Sequence, residues 1–149
     1  MIKTVFFRLE KDADDYPPVS VESVWAKETG TALELELNNV PFFAKEATLG
    51  DTVKVSSADG VFWYERMVRR SSNSLVRAIF FDEERVDTFS TELESLGCPT
   101  EYLRQYAILA ISVPAGVRLA DVQEPLRVAA SQGVLDYEEP ILRHSSAGP

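Results

Sequence analysis

The chain has 149 residues, 45% of them hydrophobic, with 15 Lys/Arg against 24 Asp/Glu and a formal net charge of −9. That is enough apolar material to bury a core in one domain or two small subdomains, and it excludes a disordered tail as the whole account. One cysteine, Cys98, and one histidine, His144, exclude an internal disulfide and leave too few soft ligands for a Cys/His zinc site within the chain.

The N-terminal run from Met1 is broken by Arg8 and Glu10, too short for a signal-peptide core, and no run approaches the roughly 18 apolar residues of a membrane helix. A cytoplasmic protein with no membrane segment is the expectation. Residues 3–9 read as a strand, followed by a polar turn ending in Pro17-Pro18. Val19, Val21 and Val24-Trp25-Ala26 suggest a second strand. The stretch 31–37 alternates strictly, so Leu33, Leu35 and Leu37 are expected to face a core while Glu34 and Glu36 face water.

Asn38-Asn39 marks a turn, Val53-Lys54-Val55 begins another strand, and Ala58-Asp59-Gly60 is a hairpin signal. From Val61 to Arg70 the pattern puts Val61, Trp63 and Met67 on one face and Phe62, Tyr64 and Val68 on the other, so this strand is expected to be covered on both faces. After Ser71-Ser72-Asn73-Ser74, Leu75 to Phe81 reads as a strand. Asp82 then caps a helix carrying Val86, Phe89, Leu93 and Leu96 at helical spacing, which stops at Gly97 and Pro99. Ala107 to Val113 reads as a central strand. Asp121 and Glu124 have capping-box spacing ahead of Val122, Leu126 and Ala129, Pro125 fits a first turn, and Gly133 ends that helix. Val134 to Glu138 forms a last strand.

The expected fold class is α+β. An N-terminal small antiparallel β-sheet or partial barrel, 1–74, packs on a C-terminal ferredoxin-like (split βαβ) half, 75–141, read from a β-α-β-α-β order, and 142–149 form a flexible tail.

Three segments carry a family resemblance: 17–26, PPVSVESVWA; Asn39-Val40-Pro41-Phe42-Phe43-Ala44-Lys45 with Leu49-Gly50-Asp51; and Asp136-Tyr137-Glu138-Glu139. In that ordered set the chain resembles, over nearly its whole length, the bacterial family known as domain of unknown function 4265. The family pattern has a glycine in the serine-rich turn where this chain has Ser72. The resemblance implies no activity, cofactor or catalytic residue.

Candidate chemistry therefore rests on the residues alone. Glu10, Asp12, Asp14 and Asp15 open like a calcium loop, but Tyr16-Pro17-Pro18 interrupts the ligand pattern, and a solvated turn is the plainer reading. Cys98 stands at a helix C-terminus, where the dipole opposes a thiolate, and His144 lies in the expected tail, so no Cys-His or Ser-His catalytic pair is expected. A cleft reading for the carboxylates Glu22 beside Trp25, Asp51 after Gly50, and Asp136 with Glu138 competes with the plain reading of acids facing water. Arg66, Arg69, Arg70 and Arg77 neighbour Trp63 and Tyr64 as a stacking-plus-phosphate surface, against the simpler reading of pairing with nearby acids. Phe42 and Phe43 are either core filler or a contact surface, with core filler preferred.

Up to Ser74 there are nine Lys/Arg against twelve Asp/Glu, and from Leu75 onward six against twelve. An acidic second half disfavours nucleic acid and favours a basic protein partner. The leading expectation is a cytoplasmic protein-binding module, a regulator or antidote-like factor using its acidic surface, with no cofactor or metal. The alternative is a small-ligand-binding protein or simple enzyme with a pocket at the seam of the two halves, using Glu22, Trp25, Asp51 and Arg77. Oligomeric state is not encoded in any feature of the sequence.

Overall fold

The structure is a computed structural model and describes residues 2–144. The chain divides into two compact units between Ser71 and Ser72, and the fold is α+β.

The first unit is a meander of five strands, β1 (Ile2–Arg8), β2 (Val21–Glu28), β3 (Glu34–Leu37), β4 (Thr52–Ala58) and β5 (Val61–Arg69), each antiparallel to the next. Direction alternates along such a meander, so the first and fifth strands run the same way. They pair in parallel, Val5 with Phe62 and Phe6 with Trp63, and shut the sheet into a closed barrel rather than a partial one. Alternate residues point inward, and Val5, Phe7, Val24, Ala26, Val53 and Val55 make its core. The Phe7 ring stacks on Tyr64 with centroids 4.8 Å apart.

Two expectations about this unit are corrected. Leu33 does not continue the inward row of Leu35 and Leu37: it precedes β3, its backbone is left-handed at φ 61°, and its side chain is 41% exposed. Strand β5 is not covered on both faces, because no residue in it is buried. Register shifts against β4 fall between Lys54 and Val55 and between Thr52 and Val53, inserting Glu65 and Val68 as extra residues. Each insertion reverses the alternation, so Met67 joins Phe62 and Tyr64 against the core.

The second unit runs β6 (Ser74–Phe80), α1 (Val86–Ser95), β7 (Thr100–Leu103), β8 (Ile108–Val113), α2 (Leu119–Ser131) and β9 (Leu135–Ile141). Its four strands form one antiparallel sheet in the order β7-β8-β6-β9. Val76, Ala78 and Phe80 of β6 and Leu109 and Ile111 of β8 share a core with the inner faces of both helices. Phe89 of α1 meets Phe80 edge-on at 5.6 Å. Strand β7 escapes sequence reading because Thr-Glu-Tyr-Leu has no alternating pattern and only four residues, and its presence makes the order β-α-β-β-α-β.

Asp82 does act as a cap, its Oδ1 accepting from Glu84 N at 3.2 Å, but it heads a 3-10 turn, Glu83–Arg85, that leads into α1. Leu96 is an exposed residue at the helix end rather than part of the apolar stripe. Gly97, at φ +102°, reverses the chain after α1 in a conformation that a side chain would strain. Helix α2 begins earlier than the capping-box spacing implies: Arg118 is its N-cap, with no side-chain cap bond, and Pro125 lies inside the helix, where its missing N–H deletes one backbone bond.

Cys98 is wholly buried beside Leu93, its N–H donating to the Leu93 carbonyl at 3.0 Å. Burial pushes the thiol up from 9.0 to about 11. The native state therefore favours the protonated thiol. Its contribution to stability is complete below about pH 9 and is lost as pH rises through about 11. Alkylation by iodoacetamide near pH 8 is expected to be about a hundredfold slower for the native chain than for the urea-unfolded chain; equal rates would show that the thiol is not held in the core.

Candidate functional site

The inward-facing positions of β2 are Glu22, Val24 and Ala26, so strand alternation itself delivers a carboxylate into the barrel's interior side. There Glu22 is nearly buried and accepts three consecutive backbone N–H groups, Phe42 to Oε2 at 2.5 Å and Phe43 and Ala44 to Oε1 at 2.9 and 2.8 Å. Phe43 is buried against the edge of Tyr16, 6.1 Å between centroids, and Phe42 is half-buried. Asp51 is fully buried and does similar work: Oδ2 accepts from Thr48 N at 2.9 Å and Oδ1 from Ser71 N at 2.8 Å. Burial, then the negative charges of Glu46 and Asp51, hold the Tyr64 phenol above its ordinary value, with Arg70 opposing. Asp12 is another backbone acceptor, taking Asp14 N and Tyr16 N in the 12–16 turn.

The outer face of the barrel carries Trp25, 60% exposed, whose backbone N–H is fixed by Asn39 Oδ1 at 2.7 Å. The extra residue Glu65 separates Tyr64, which points inward, from Arg66, which is exposed opposite Lys54, so the expected Arg66–Tyr64 grouping does not form. Arg8 takes the stacking role instead, lying 3.9 Å over the Trp63 ring, which also meets Phe6 at 5.7 Å.

Arg77 belongs to the second unit. It is 3% exposed on β6, in register with Glu138 of β9, and Nη1 lies 3.5 Å from Glu138 Oε1. Asp136 is two residues away on the same strand, and its Oδ1 accepts from Tyr137 N. Arg77 and Glu138 are thus brought together, whereas Glu22, Trp25, Phe42, Phe43, Asp51 and Arg66 lie in the first unit.

The connection from β6 to α1 holds a feature that sequence reading passed over. Consecutive Phe80 and Phe81 point opposite ways at a strand end, so Phe80 enters the core while Phe81 is 66% exposed. The Phe81 backbone is pinned by a bond from its N–H to Val134 O at 2.8 Å. Exposed Asp82, Glu83, Glu84, Asp87, Glu92 and Glu94 follow it, and among the described residues no ion pair neutralises any of them. The nearby cation, Arg85, is turned over the Phe89 ring at 5.7 Å. Glu83 accepts from the Tyr102 hydroxyl at 3.0 Å; burial and this bond raise the phenol's pKa. The readable signal was a doubled aromatic at a strand end directly before an acid run.

His144 is held in place, contrary to its assignment to a loose tail. Nε2 lies 3.0 Å from Pro114 O and 2.9 Å from Val117 O, acceptors that place the ring proton on Nε2. Nδ1 then accepts from the Ser74 hydroxyl at 2.7 Å, and Ser74 Oγ accepts Arg143 N at 2.8 Å. Ser74 is fully buried, so the pair clasps the chain end to the start of β6 rather than offering a nucleophile. The rest of the expected tail, 145–149, lies outside the described residues.

Among the described residues no three His, Cys, Asp or Glu side chains gather as a metal site, and no helix is long and apolar enough to cross a membrane. The chain belongs to the family described as Domain of unknown function (DUF4265), whose model matches residues 22–137. No curated protein matches the sequence. A crystal structure described as that of a hypothetical protein from Neisseria gonorrhoeae has the same fold, with a TM-score of 0.76 at 16% identity over 97% of this chain and 98% of the other.

Replacing Glu22 with Ala removes the acceptor of two buried N–H groups and one part-buried N–H group and is expected to destabilise the chain by about 3 kcal/mol in urea unfolding. A loss below about 1 kcal/mol would mean that water takes over these bonds without strain.

Proposed function

We propose that this protein is a protein-binding module, a regulator or antidote-like factor of the cytoplasm, that takes a basic partner on the acidic face of its second unit. The observation that carries the reading is Phe81, an aromatic side chain 66% exposed on a pinned backbone at the head of an unneutralised acid run. Aromatic anchors supply residence time at interfaces, while surrounding charge supplies encounter rate and choice of partner.

Helix electrostatics support the same reading. Glu83 and Glu84 near the start of the helical segment are favoured by the helix dipole, but Glu92 and Glu94 occupy the last turn of α1, which has no basic residue. Glu94 accepts the Ser90 and Thr100 hydroxyls at 3.3 and 2.6 Å, but an acid at that end opposes the dipole and helix stability does not account for Glu92. A partner bearing Lys or Arg would. We read the β-α-β-β-α-β order and β7-β8-β6-β9 arrangement of this unit as a ferredoxin-like, split βαβ half, a scaffold that leaves one exposed helix side for contact. The competing reading, a small ligand or simple enzyme site built from Glu22, Asp51 and Arg77, has less support because the two acids hold backbone N–H groups and Arg77 faces Glu138.

The test is quantitative capture of basic proteins at low salt by the full chain, by Phe81→Ala, and by the double charge reversal Glu84→Lys/Asp87→Lys. Phe81→Ala is expected to weaken binding about tenfold or more, mainly through faster dissociation, with an unchanged melting temperature. The double reversal is expected to slow association and flatten its salt dependence. Retention of the same proteins by both variants at wild-type affinity would overturn the reading.

A further inference from the structure

Alternation fills the barrel with the inward set of each strand, so the other set, Phe6 and Arg8 on β1, Ser23 and Trp25 on β2 and Trp63 on β5, faces outside. Register sorts these residues into rows across the strands. One row runs Ser23, Phe6, Trp63, Ser56, and the row beside it pairs Trp25 with Thr4. Because β1 and β5 are parallel, Arg8, two residues beyond Phe6, and Arg66, three beyond Trp63, fall on the same side of the aromatic row. The bulge at Glu65 brings Arg66 there: without the extra residue, position 66 would continue the inward set of Phe62 and Tyr64 instead of standing outside opposite Lys54.

This face is open to solvent. Trp25 is 60% exposed, and Arg8, Ser23, Ser56 and Arg66 are exposed as well. The Arg8 guanidinium over Trp63 and the Phe6 ring beside it make one cluster of a cation and two aromatics. Arg8, Lys54 and Arg66 form no ion pair among the described residues. The acids beside them are Glu65, next to Arg66 in the bulge, and Glu34, in register with Lys54. Exposed Arg69 and Arg70 extend the cationic side along the same strand, so positive charge exceeds negative here although the chain as a whole carries −9. Aromatic faces next to unpaired cations are the combination that recognises single-stranded nucleic acid, whose unpaired bases offer π-faces and whose phosphates take Lys and Arg.

We propose that this outer face of the barrel binds single-stranded nucleic acid, one base stacking on Trp25, another on the Arg8–Trp63 pair, and phosphates lying on Arg66 and Lys54. Trp25 and Trp63 stand two strands apart, about 10 Å across the sheet, so a strand laid across β2, β1 and β5 meets both. A duplex hides its base faces and loses the stacking half of the contact. The net negative charge of the chain lowers the affinity and confines it to low salt. The site is built by the first unit alone and does not rest on the protein-binding reading.

The test is a fluorescence-anisotropy titration of a labelled oligothymidylate of about 12 nucleotides with the full chain. Saturable binding with a Kd of about 10–100 μM is expected at about 20 mM salt, with log K falling against log salt at a slope of about −2, the value for three phosphate contacts. Trp25→Ala is expected to weaken binding about fivefold or more without changing the slope. Arg66→Ala is expected to weaken it about threefold and to reduce the slope by about 0.7. Both side chains are exposed, so the melting temperature of each variant is expected to match the wild type. The proposal is overturned by no saturable binding up to about 200 μM protein, by a duplex bound as tightly as the single strand, or by wild-type affinity in both variants. Displacement of the oligonucleotide by polyglutamate at equal charge concentration would also overturn it, by marking a surface for any acidic chain.

Discussion

The carboxylate of Glu22 is the interaction on which the first unit depends. A long connection, 38–51, joins β3 to β4 without regular structure, and a buried connection of that kind must find partners for its backbone N–H groups. Glu22 supplies acceptors for three of them at once, and Asp51 supplies them at the far end of the loop and at Ser71. Charge-assisted bonds of this type are stronger than neutral ones, so two acids replace the ladder bonds that the loop lacks. With that loop fixed, Phe43 is positioned against Tyr16, and Val40 and Ala44 are buried.

The acids of this protein differ by what partners them. Glu22 and Asp51 are committed to backbone donors, and Glu28, Glu36 and Glu138 on the strands pair with Lys or Arg. Those on the exposed positions of α1 and the turn before it form no ion pair among the described residues, and Arg85 within that run rests on an aromatic ring. Net charge alone does not distinguish these groups; burial and partner do. Along this stretch the acids without an ion pair among the described residues sit close together, on α1 and on the turn that leads into it.

Much of the architecture was legible in the amino acids. Strict alternation located β3, helical spacing of Val86, Phe89 and Leu93 located α1, and Gly97 marked its end. What escaped was whatever depends on partners distant in sequence. Strand β7 exists because β8 pairs with it, not because Thr-Glu-Tyr-Leu prefers extension. The bulges in β5 are set by register with β4, and no local pattern announces that Arg66 and Tyr64 will part. Glu22 looked like a candidate catalytic acid because its acceptors' partners, twenty and more residues away, leave no trace in its neighbourhood. Pro125 sits inside a helix because packing of Val122, Leu126 and Ala129 outweighs the bond it deletes.

The parallel closure of the barrel bears on how the first unit comes together. Its only registered pairs join residues 57 positions apart, Val5 to Phe62 and Phe6 to Trp63, whereas every other seam links neighbours in the meander. Contacts so distant along the chain carry a large loop-closure entropy before they return anything, which slows the approach to the folded state. Without that pairing the sheet would present β1 and β5 as two bare edges open to another chain; with it, both edges are closed. The β1–β5 seam is thus the one that leaves the first unit without a free sheet edge, whereas the sheet of the second unit keeps β7 and β9 as its edges.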